Sequence, residues 1–273
     1  MEYMTLQGVD VPALGFGTWR LSGKPCYDMV LVALETGYRH IDTAQLYFNE
    51  EAVGRAIRDS GVPRDEIFLT TKLGFNHLGR DDVISSTEIS LKKLGTDAID
   101  LLLIHWPSQT VPLSETLHAM EQLVEQGKVR HIGVSNFNST LLVEACGIAT
   151  SPILLNQVEY HPYLSQEKLL ATCRANGVGL TAYAPIARGR VLADDLLIEI
   201  GSHYGKSPVQ VTLRWLIQQN SVSAIPKSAH PERVRSNFDI FDFQLTDGEM
   251  QSIFGLARGE RYLNPDSAPD WDE

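Results

Sequence analysis

Short apolar runs alternate with longer amphipathic stretches along almost the whole sequence. Some runs, such as IDLLLI at 99–104, are nearly continuous in apolar residues. Strands buried on both faces have this composition, and such strands usually belong to parallel sheets. We therefore predict eight strands, at residues 38–44, 67–72, 99–106, 131–135, 154–158, 179–183, 223–226 and 238–243.

The stretches between the runs are typical of helices. Residues 49–60 and 113–126 each place their apolar side chains on one face. Residues 208–219 begin with Pro208 directly after Ser207, which is a candidate N-cap followed by a proline in the first helical position. Strand and helix alternate about eight times, and this order predicts a parallel α/β fold.

Two α/β architectures compete at this point, an open doubly wound sheet and a closed (β/α)₈ barrel. The open sheet usually carries a GxGxxG turn after its first strand. Gly15 and Gly17 begin such a pattern, but Arg20 stands where the third glycine belongs. A barrel needs about 250 residues, and no Pro-, Gly- or Ser-rich linker divides this chain. We therefore predict one (β/α)₈ (TIM) barrel domain over 1–273, preceded by a short β-hairpin within 4–16.

The charge balance narrows the classes of partner. The chain has 34 acidic residues against 23 lysines and arginines, a formal net charge of -11. An acidic protein is poorly suited to bind nucleic acid or an anionic membrane. No apolar run approaches the roughly 20 residues of a membrane span, and the polar start MEYMTLQGVD does not resemble a signal peptide. We expect a cytoplasmic protein.

Cysteine and histidine spacing gives no sign of a metal site. The three cysteines, Cys26, Cys146 and Cys173, form no CxxC pair, and the eight histidines form no HExxH motif. A sparse, odd number of cysteines is typical of reduced thiols. We expect no bound metal.

Polar side chains stand at the ends of the predicted strands, where an apolar run does not require them. Each has an ordinary explanation by itself: an aspartate can cap a turn, a lysine can reach solvent and a histidine can be a core residue. In a barrel, however, the carboxyl ends of all strands meet at one face, where active sites form. The residues at these ends are Asp42, Lys72, His105, Ser135, Asn136, Gln157, Tyr183, Lys227 and Ser228.

A set of motifs in this order resembles the aldo-keto reductase family. The resemblance extends from about residue 4 to residue 243 and is more specific than any single motif. The motifs are GFGTW at 15–19, GYRHIDTAxxYxNE at 37–50, TTKL at 70–73, LLLIHWP at 101–107, GVSNF at 133–137, NQVEYHPY at 156–163 and IPKSxxPERV at 225–234.

The resemblance implies a catalytic tetrad of Asp42, Tyr47, Lys72 and His105. Carbonyl reduction delivers a hydride to carbon and a proton to oxygen. A tyrosine can supply the proton, and a neighbouring ammonium, Lys72, is expected to lower the phenol pKa from about 10. Asp42 would keep Lys72 charged and oriented. His105 would donate a hydrogen bond to the carbonyl oxygen and polarise it.

The resemblance also implies a nicotinamide cofactor. Ser135, Asn136 and Gln157 match positions that bind the carboxamide, and Tyr183 matches the aromatic residue that stacks on the nicotinamide ring. The loop 185–192 would cover the pyrophosphate, with Arg188 or Arg190 as charge partner. Lys227 and Arg233 match positions beside the adenosine 2′-phosphate. Two cations there favour NADPH, which carries this phosphate, over NADH. The full set of expected cofactor residues is Gly17, Thr18, Ser135, Asn136, Gln157, Tyr183, Pro185, Arg188, Lys227, Ser228, Arg233 and Asn237, the last four for the 2′-phosphate and adenine.

The sequence departs from many relatives near the expected site. Ala184 replaces a serine and Ser236 replaces an acidic residue that contacts adenine, and both changes could shift cofactor affinity. Gly74 replaces a bulky aromatic residue, and the segments after Pro107 and after residue 243 are short. These features predict an open substrate pocket lined by Trp19, Tyr47, Phe75, His105 and Trp106, and they resemble the bacterial branch that reduces 2,5-diketo-gluconate and methylglyoxal.

The leading hypothesis is therefore an NADPH-dependent reductase of small dicarbonyls, keto-sugar acids or β-keto esters. A cofactor-binding regulatory subunit on the same fold is the alternative, and it would bind NADPH with little turnover. An isomerase or hydrolase barrel is a third reading, but the paired carboxylates of such enzymes are absent from neighbouring strand ends. We expect a monomer.

Overall fold

The computed structural model describes residues 1–272, and Glu273, the last residue of the predicted domain, lies outside the described residues. The strands are β1 (Tyr3–Leu6), β2 (Val9–Pro12), β3 (Phe16–Gly17), β4 (His40–Asp42), β5 (Phe68–Leu73), β6 (Ile99–Ile104), β7 (Val129–Ser135), β8 (Ile153–Glu159), β9 (Gly179–Tyr183) and β10 (Val222–Ala224). The helices are α1 (Gly23–Thr36), α2 (Glu50–Asp59), α3 (Arg80–Leu94), α4 (Leu113–Glu125), α5 (Ser139–Ile148), α6 (Glu167–Ala175), α7 (Asp195–Tyr204), α8 (Pro208–Ile217), α9 (Pro231–Phe238) and α10 (Asp247–Phe254).

Strands β3 to β10 form one sheet in sequence order, and every neighbouring pair in it is parallel. The first and last strands close the sheet on each other. The N–H of Gly15 donates to the carbonyl of Ala224 at 2.8 Å, and the N–H of Ala224 donates to the carbonyl of Ala13 at 2.9 Å. The predicted (β/α)₈ barrel is confirmed.

The predicted strand at 238–243 is wrong. Phe238 ends α9, and residues 239–243 are irregular. Their apolar side chains pack instead against the outside of the barrel, where the Phe238 ring lies 4.8 Å from the ring of Tyr38 and Ile240 is fully buried. The missing eighth strand is β3, which has only two residues and therefore no alternation that a sequence pattern can reveal.

The N-terminal hairpin is confirmed, with β1 and β2 paired antiparallel around Gln7 and Gly8. Both turn residues have positive φ, 52° and 84°, as two-residue hairpin turns of the type I′ class require. Met4, Leu6 and Val11 of the hairpin are buried in one cluster with Leu101 and Leu155 of the barrel interior. The hairpin therefore closes the amino-terminal end of the barrel and leaves the carboxyl ends of the strands for a site.

Helix positions follow the prediction closely, because local signals set their ends. Helix α8 begins with a capping box in which the Ser207 hydroxyl accepts from the N–H of Gln210, and the Gln210 side chain accepts from the N–H of Ser207. The predicted ends of α2, α4 and α8 lie within two residues of the observed ones. Within residues 1–272, no helix combines the length and apolar character that crossing a membrane requires.

Candidate active site

The polar side chains predicted at strand ends, with the exception of Lys72, line one cavity of about 830 Å³ at the carboxyl-terminal face of the barrel. Asp42, Ser135 and Tyr183 are the last residues of β4, β7 and β9, and His105 directly follows β6. The predicted residues that line the cavity are Gly17, Trp19, Asp42, Tyr47, His105, Trp106, Ser135, Asn136, Gln157, Tyr183, Pro185, Arg188, Lys227, Ser228, Arg233 and Asn237.

Four predicted residues do not line the cavity. One is Arg190, the alternative charge partner for the pyrophosphate, which instead forms an ion pair with Glu260 at 3.7 Å. Lys72 is fully buried below the cavity floor, where it contacts Asp42. Thr18 is also buried, and its hydroxyl donates to the carbonyl of Asp42 at 2.9 Å. Phe75 is 60% exposed and does not line the cavity. Lys72 and Thr18 thus support the lining, whereas the structure does not bring Phe75 to the cavity.

Asp42 is the centre of a buried polar network under the cavity. The Lys72 ammonium donates to Asp42 Oδ1 at 2.6 Å and to the carbonyl of Thr43 at 2.8 Å. The Gln157 amide donates to the other carboxylate oxygen, Oδ2, at 2.7 Å. Burial lowers the pKa of Lys72 from its ordinary value, and the adjacent Asp42 charge acts in the opposite direction. The network fixes the ammonium in one position beneath the cavity.

Tyr47 lies in a 3-10 turn, Gln45–Tyr47, which two residues separate from the end of β4. Its ring centroid is 5.1 Å from Lys72 Nζ and 5.6 Å from the ring of His105, which it meets edge-on. Tyr47 and His105 thus face each other across this corner of the cavity, and Lys72, bound to Asp42, lies beneath them.

The pKa of Tyr47 differs from the expectation that Lys72 lowers it. Burial raises the pKa well above 10, and the charge of Asp42 raises it further. Desolvation of the phenolate is the largest effect, and the Lys72 ammonium, which is bound to Asp42, does not overcome it. Tyr47 is therefore a neutral phenol that carries its proton.

Two buried amides that the sequence analysis did not single out hold this turn. The Gln45 side chain donates to two serine hydroxyls of α3, at 3.1 and 3.2 Å. The Asn49 side chain donates to the carbonyls of Thr18 and Leu21, at 3.0 and 2.9 Å. Asn49 is part of the YxNE motif, so its signal was present, but Gln45 stands at a position that the motif leaves open. Both residues fix the segment that carries Tyr47.

His105 is a neutral imidazole at the cavity wall. Burial, with a smaller contribution from the Lys72 charge, lowers its pKa to about 3. Its Nδ1 atom is buried and has no hydrogen-bond partner within residues 1–272, and its backbone carbonyl accepts from the Asn136 amide at 2.9 Å. A neutral imidazole has one N–H, so His105 can donate a single hydrogen bond to a group in the cavity.

Hydroxyl, amide and aromatic groups form the adjacent wall. The Tyr183 hydroxyl donates to Asn136 Oδ1 at 2.8 Å, and the Ser135 hydroxyl donates to the carbonyl of Gln157 at 2.7 Å. Asn136 has φ of 62°, a left-handed conformation that asparagine tolerates better than most residues. Of the three replaced residues, Ala184 and Ser236 line the cavity, whereas Gly74 does not.

The part of the cavity lined by residues that follow β10 is basic. Lys227 and Arg233 line it, and neither forms an ion pair within the part of the chain that the structure describes. Burial lowers the pKa of Lys227, and the charge of Arg20 lowers it further. Arg20 was noticed in the sequence only as the residue that breaks a glycine pattern. A region with uncompensated cations is suited to bind an anionic group.

The C-terminal tail contributes a lining residue that the sequence analysis missed. Leu263 lines the cavity, and the carbonyl of its neighbour Tyr262 accepts from Arg188 Nη2 at 3.0 Å. The tail has no apolar periodicity that could predict its path. The predicted loop 185–192 and the tail therefore touch each other at the cavity mouth.

Known proteins resemble this chain over nearly its full length. Residues 13–258 match the sequence model of the aldo/keto reductase family. The methylglyoxal reductase DkgB of Salmonella typhi is 40% identical over 266 residues, which cover 96% of this chain and 99% of that protein.

Two solved structures share the fold in detail. A protein provisionally assigned as a 2,5-diketo-D-gluconic acid reductase B is 49% identical, with a TM-score of 0.98 and coverage of 100% of this chain and 98% of the other. An aldo-keto reductase of Bombyx mori, solved in complex with NADP, is 34% identical, with a TM-score of 0.92 and coverage of 99% and 97%. The chain therefore belongs to the aldo/keto reductase family and is an oxidoreductase.

Proposed function

We propose that this protein reduces small aldehydes and ketones to alcohols, with NADPH as reductant and Tyr47 as proton donor. The observation that carries the proposal is the position of the neutral Tyr47 phenol, which faces the same cavity as the His105 imidazole above the buried Lys72–Asp42 pair. Small dicarbonyls, keto-sugar acids and β-keto esters are the proposed substrates. The similarity to a methylglyoxal reductase supports the dicarbonyls, and the similarity to the 2,5-diketo-D-gluconic acid reductase B structure supports the keto-sugar acids.

The chemistry of the cavity residues fits a dinucleotide with one extra phosphate. Amide and hydroxyl groups of Ser135, Asn136 and Gln157 suit a carboxamide, and the Tyr183 ring suits a stacked nicotinamide. Lys227 and Arg233, which have no ion-pair partner within residues 1–272, suit a 2′-phosphate. The NADP complex of the Bombyx mori relative is consistent with this fit.

The remaining cofactor assignments follow the same geometry. We assign Ser228 to the 2′-phosphate, Asn237 to the adenine, and Arg188 to the pyrophosphate beneath the loop that begins at Pro185. Gly17 lines the cavity without a side chain, which lets a ligand approach the backbone closely. When bound, NADPH supplies the hydride that reduces the carbonyl carbon.

Each residue of the tetrad has a distinct task. His105, neutral because of its low pKa, donates a hydrogen bond to the carbonyl oxygen and stabilises the negative charge that develops there. Tyr47 transfers its proton to that oxygen. Lys72, 5.1 Å from the phenol ring, then compensates the charge of the phenolate, and Asp42 holds the ammonium in place.

The test is Tyr47→Phe, with Tyr3→Phe as the control because Tyr3 is an exposed residue of β1 in the hairpin. NADPH oxidation is followed with methylglyoxal, a diketo-sugar acid, a β-keto ester and an aromatic aldehyde, and NADPH affinity by fluorescence titration. We expect Tyr47→Phe to lower kcat by at least about a hundredfold and to leave NADPH affinity nearly unchanged.

Two results would contradict the proposal. If Tyr47→Phe kept most of its kcat, Tyr47 would not be the proton donor. If the unchanged protein bound NADPH tightly but failed to oxidise it with any of the carbonyl compounds, the chain would be a cofactor-binding regulatory subunit.

A further inference from the structure

A buried carboxylate beside the cavity has no part in the chemistry proposed above. Glu159 is the last residue of β8, and its side chain is fully inaccessible to solvent. Removing an ionised carboxylate from water is costly unless several donors bind it. The donors that Glu159 binds therefore indicate what this residue does.

The Glu159 carboxylate binds two successive backbone N–H groups of the C-terminal tail. Oε1 accepts from the N–H of Tyr262 at 2.8 Å, and Oε2 accepts from the N–H of Leu263 at 2.9 Å. His161 Nε2 lies 3.1 Å from Oε1, and the His161 ring stacks on the ring of Tyr262 at 5.1 Å. One carboxylate thus fixes both the backbone and the ring position of this segment.

The segment needs such an anchor because it has no regular structure. From Ala257 to Asp272 the tail contains neither helix nor strand. Just before the segment, the N–H groups of Arg258 and Glu260 donate to the single carbonyl of Tyr163, at 3.1 and 3.0 Å. Charge-assisted bonds are about twice as strong as neutral ones. Glu159 supplies two of them to the backbone N–H groups of residues 262–263, and Arg188 supplies a third to the carbonyl of Tyr262.

What Glu159 holds in place is part of the cavity wall. Leu263 lines the cavity. Farther along the tail, the Trp271 ring meets the ring of Trp106 edge-on at 6.3 Å, and Trp106 also lines the cavity. The position of the tail therefore decides how much apolar surface a substrate meets.

We propose that Glu159 is a specificity-determining positioning residue, which binds the N–H groups of Tyr262 and Leu263 and so holds Leu263 as an apolar wall of the substrate cavity. The inference rests on the proposed carbonyl reductase function and deepens it. It favours carbonyl compounds with an apolar group that reaches Leu263 over those without one. Glu159 touches neither the tetrad nor the proposed cofactor residues through a side-chain hydrogen bond.

The kinetic test compares phenylglyoxal with methylglyoxal, which share the reacting dicarbonyl and differ in one apolar group. In Glu159→Gln one backbone N–H faces the amide NH₂ instead of an oxygen. We expect the ratio of kcat/KM for phenylglyoxal to kcat/KM for methylglyoxal to fall about tenfold in Glu159→Gln and in Leu263→Ala. The change should appear in KM, because the proton donor and its partners are unaltered.

The double variant separates positioning from general destabilisation. If Glu159 acts through Leu263, Glu159→Gln combined with Leu263→Ala lowers the ratio no further than either change alone. Glu260→Gln is the matched control, because Glu260 bonds the side chains of Arg258 and Tyr262 within the tail, whereas the backbone N–H groups of residues 262–263 donate to Glu159. It should leave the ratio unchanged. Additive effects of the two changes, or an unchanged ratio in Glu159→Gln, would overturn the proposal.

A second readout does not depend on activity. Hydrogen exchange of the ligand-free protein should show protected amides at Tyr262 and Leu263 that lose protection in Glu159→Gln and keep it in Glu260→Gln. Unaltered protection in Glu159→Gln would refute the anchoring itself. If the unchanged protein failed to oxidise NADPH in the presence of either dicarbonyl, the proposed function would be wrong. Hydrogen exchange would still show whether Glu159 anchors residues 262–263. If Glu159→Gln does not fold, Glu159→Asp, which is one methylene shorter, serves for both readouts.

Discussion

At the scale of single residues, two ion pairs of identical length show how burial determines what an ion pair contributes to stability. Lys72 and Asp42 lie 2.6 Å apart with side chains 0% and 2% exposed. Lys24 and Asp28 also lie 2.6 Å apart, but their side chains are 81% and 39% exposed. Water solvates the second pair whether or not it forms, whereas the first pair has only its protein partners.

Lys72→Met should therefore destabilise the fold far more than Lys24→Met. The first change leaves the Asp42 carboxylate buried without its cation, which costs about 3–5 kcal/mol, whereas loss of an exposed pair costs less than about 1 kcal/mol. Adding Asp42→Asn to Lys72→Met should recover part of the loss. Urea unfolding at pH 7 measures all three variants, and equal losses for the two lysine changes would contradict this account.

The sequence predicted four residues that the structure brings together around Lys72, but it did not predict the direction in which the Tyr47 pKa is shifted. The strand-end rule needs only the order of strands, so Asp42, Lys72 and His105 could be assigned to one face without coordinates. The pKa depends on how much water the phenol loses and on where the Lys72 charge is held. Both are properties of the packed site, and burial proves to be the larger effect.

At the scale of elements, strands with long apolar runs were predictable and the closing strand was not. Six-residue strands such as β5 and β6 are long enough to show a recognisable run of buried residues in the sequence. Strand β3 has only two residues, and hydrogen bonds to the region around Ala224 define its place in the barrel. The run at 238–243 is apolar for another reason, since it packs on the outside of the barrel. An apolar run in a sequence indicates that the residues are buried, but it does not by itself indicate that they form a strand.

The same distinction explains which parts of the site were missed. Lining residues at strand ends follow from topology, but Leu263 reaches the cavity through contacts with Glu159, 104 positions earlier in the chain. Gln45 likewise acts through α3, 41 and 45 positions later. No local pattern encodes such contacts.

The segment from β10 into α9 carries the proposed discrimination between cofactors. Lys227→Ala combined with Arg233→Ala should weaken NADPH binding by at least about tenfold, because each cation contributes a charge-assisted bond to the 2′-phosphate, and should change NADH binding little. Fluorescence titration with both cofactors measures this. Arg235→Ala is the control, since Arg235 is exposed on the same helix and does not line the cavity. Equal weakening of both cofactors would refute the 2′-phosphate assignment.

At the scale of the whole molecule, two buried histidines link the stability of the barrel to pH. Burial lowers the pKa of His40 to about 4 and that of His105 to about 3. His40 lies in β4, where its Nε2 atom is 3.0 Å from the Thr70 hydroxyl. The unfolded chain takes up these two protons near pH 6.5, whereas the folded protein does so only near pH 4 and below.

The sign of the effect follows from which state binds more protons. Between pH 6.5 and about 4 the unfolded chain holds the His40 proton and the folded barrel does not, so acid favours unfolding. Each such histidine lowers the free energy of unfolding by up to about 1.4 kcal/mol per pH unit in this window and contributes no pH dependence above it.

His40→Gln should flatten this dependence, because glutamine can keep a hydrogen bond to Thr70 and does not titrate. Urea unfolding at pH 7.5, 6.5, 5.5 and 4.5 gives the free energy at each pH. The variant should lose less stability than the unchanged protein between pH 6.5 and 4.5 and the two should run parallel above pH 6.5. His118→Gln, at an exposed position of α4, should show the same change in the free energy of unfolding with pH as the unchanged protein. If His40→Gln also showed that same change, His40 would not stay neutral in the folded barrel across this range.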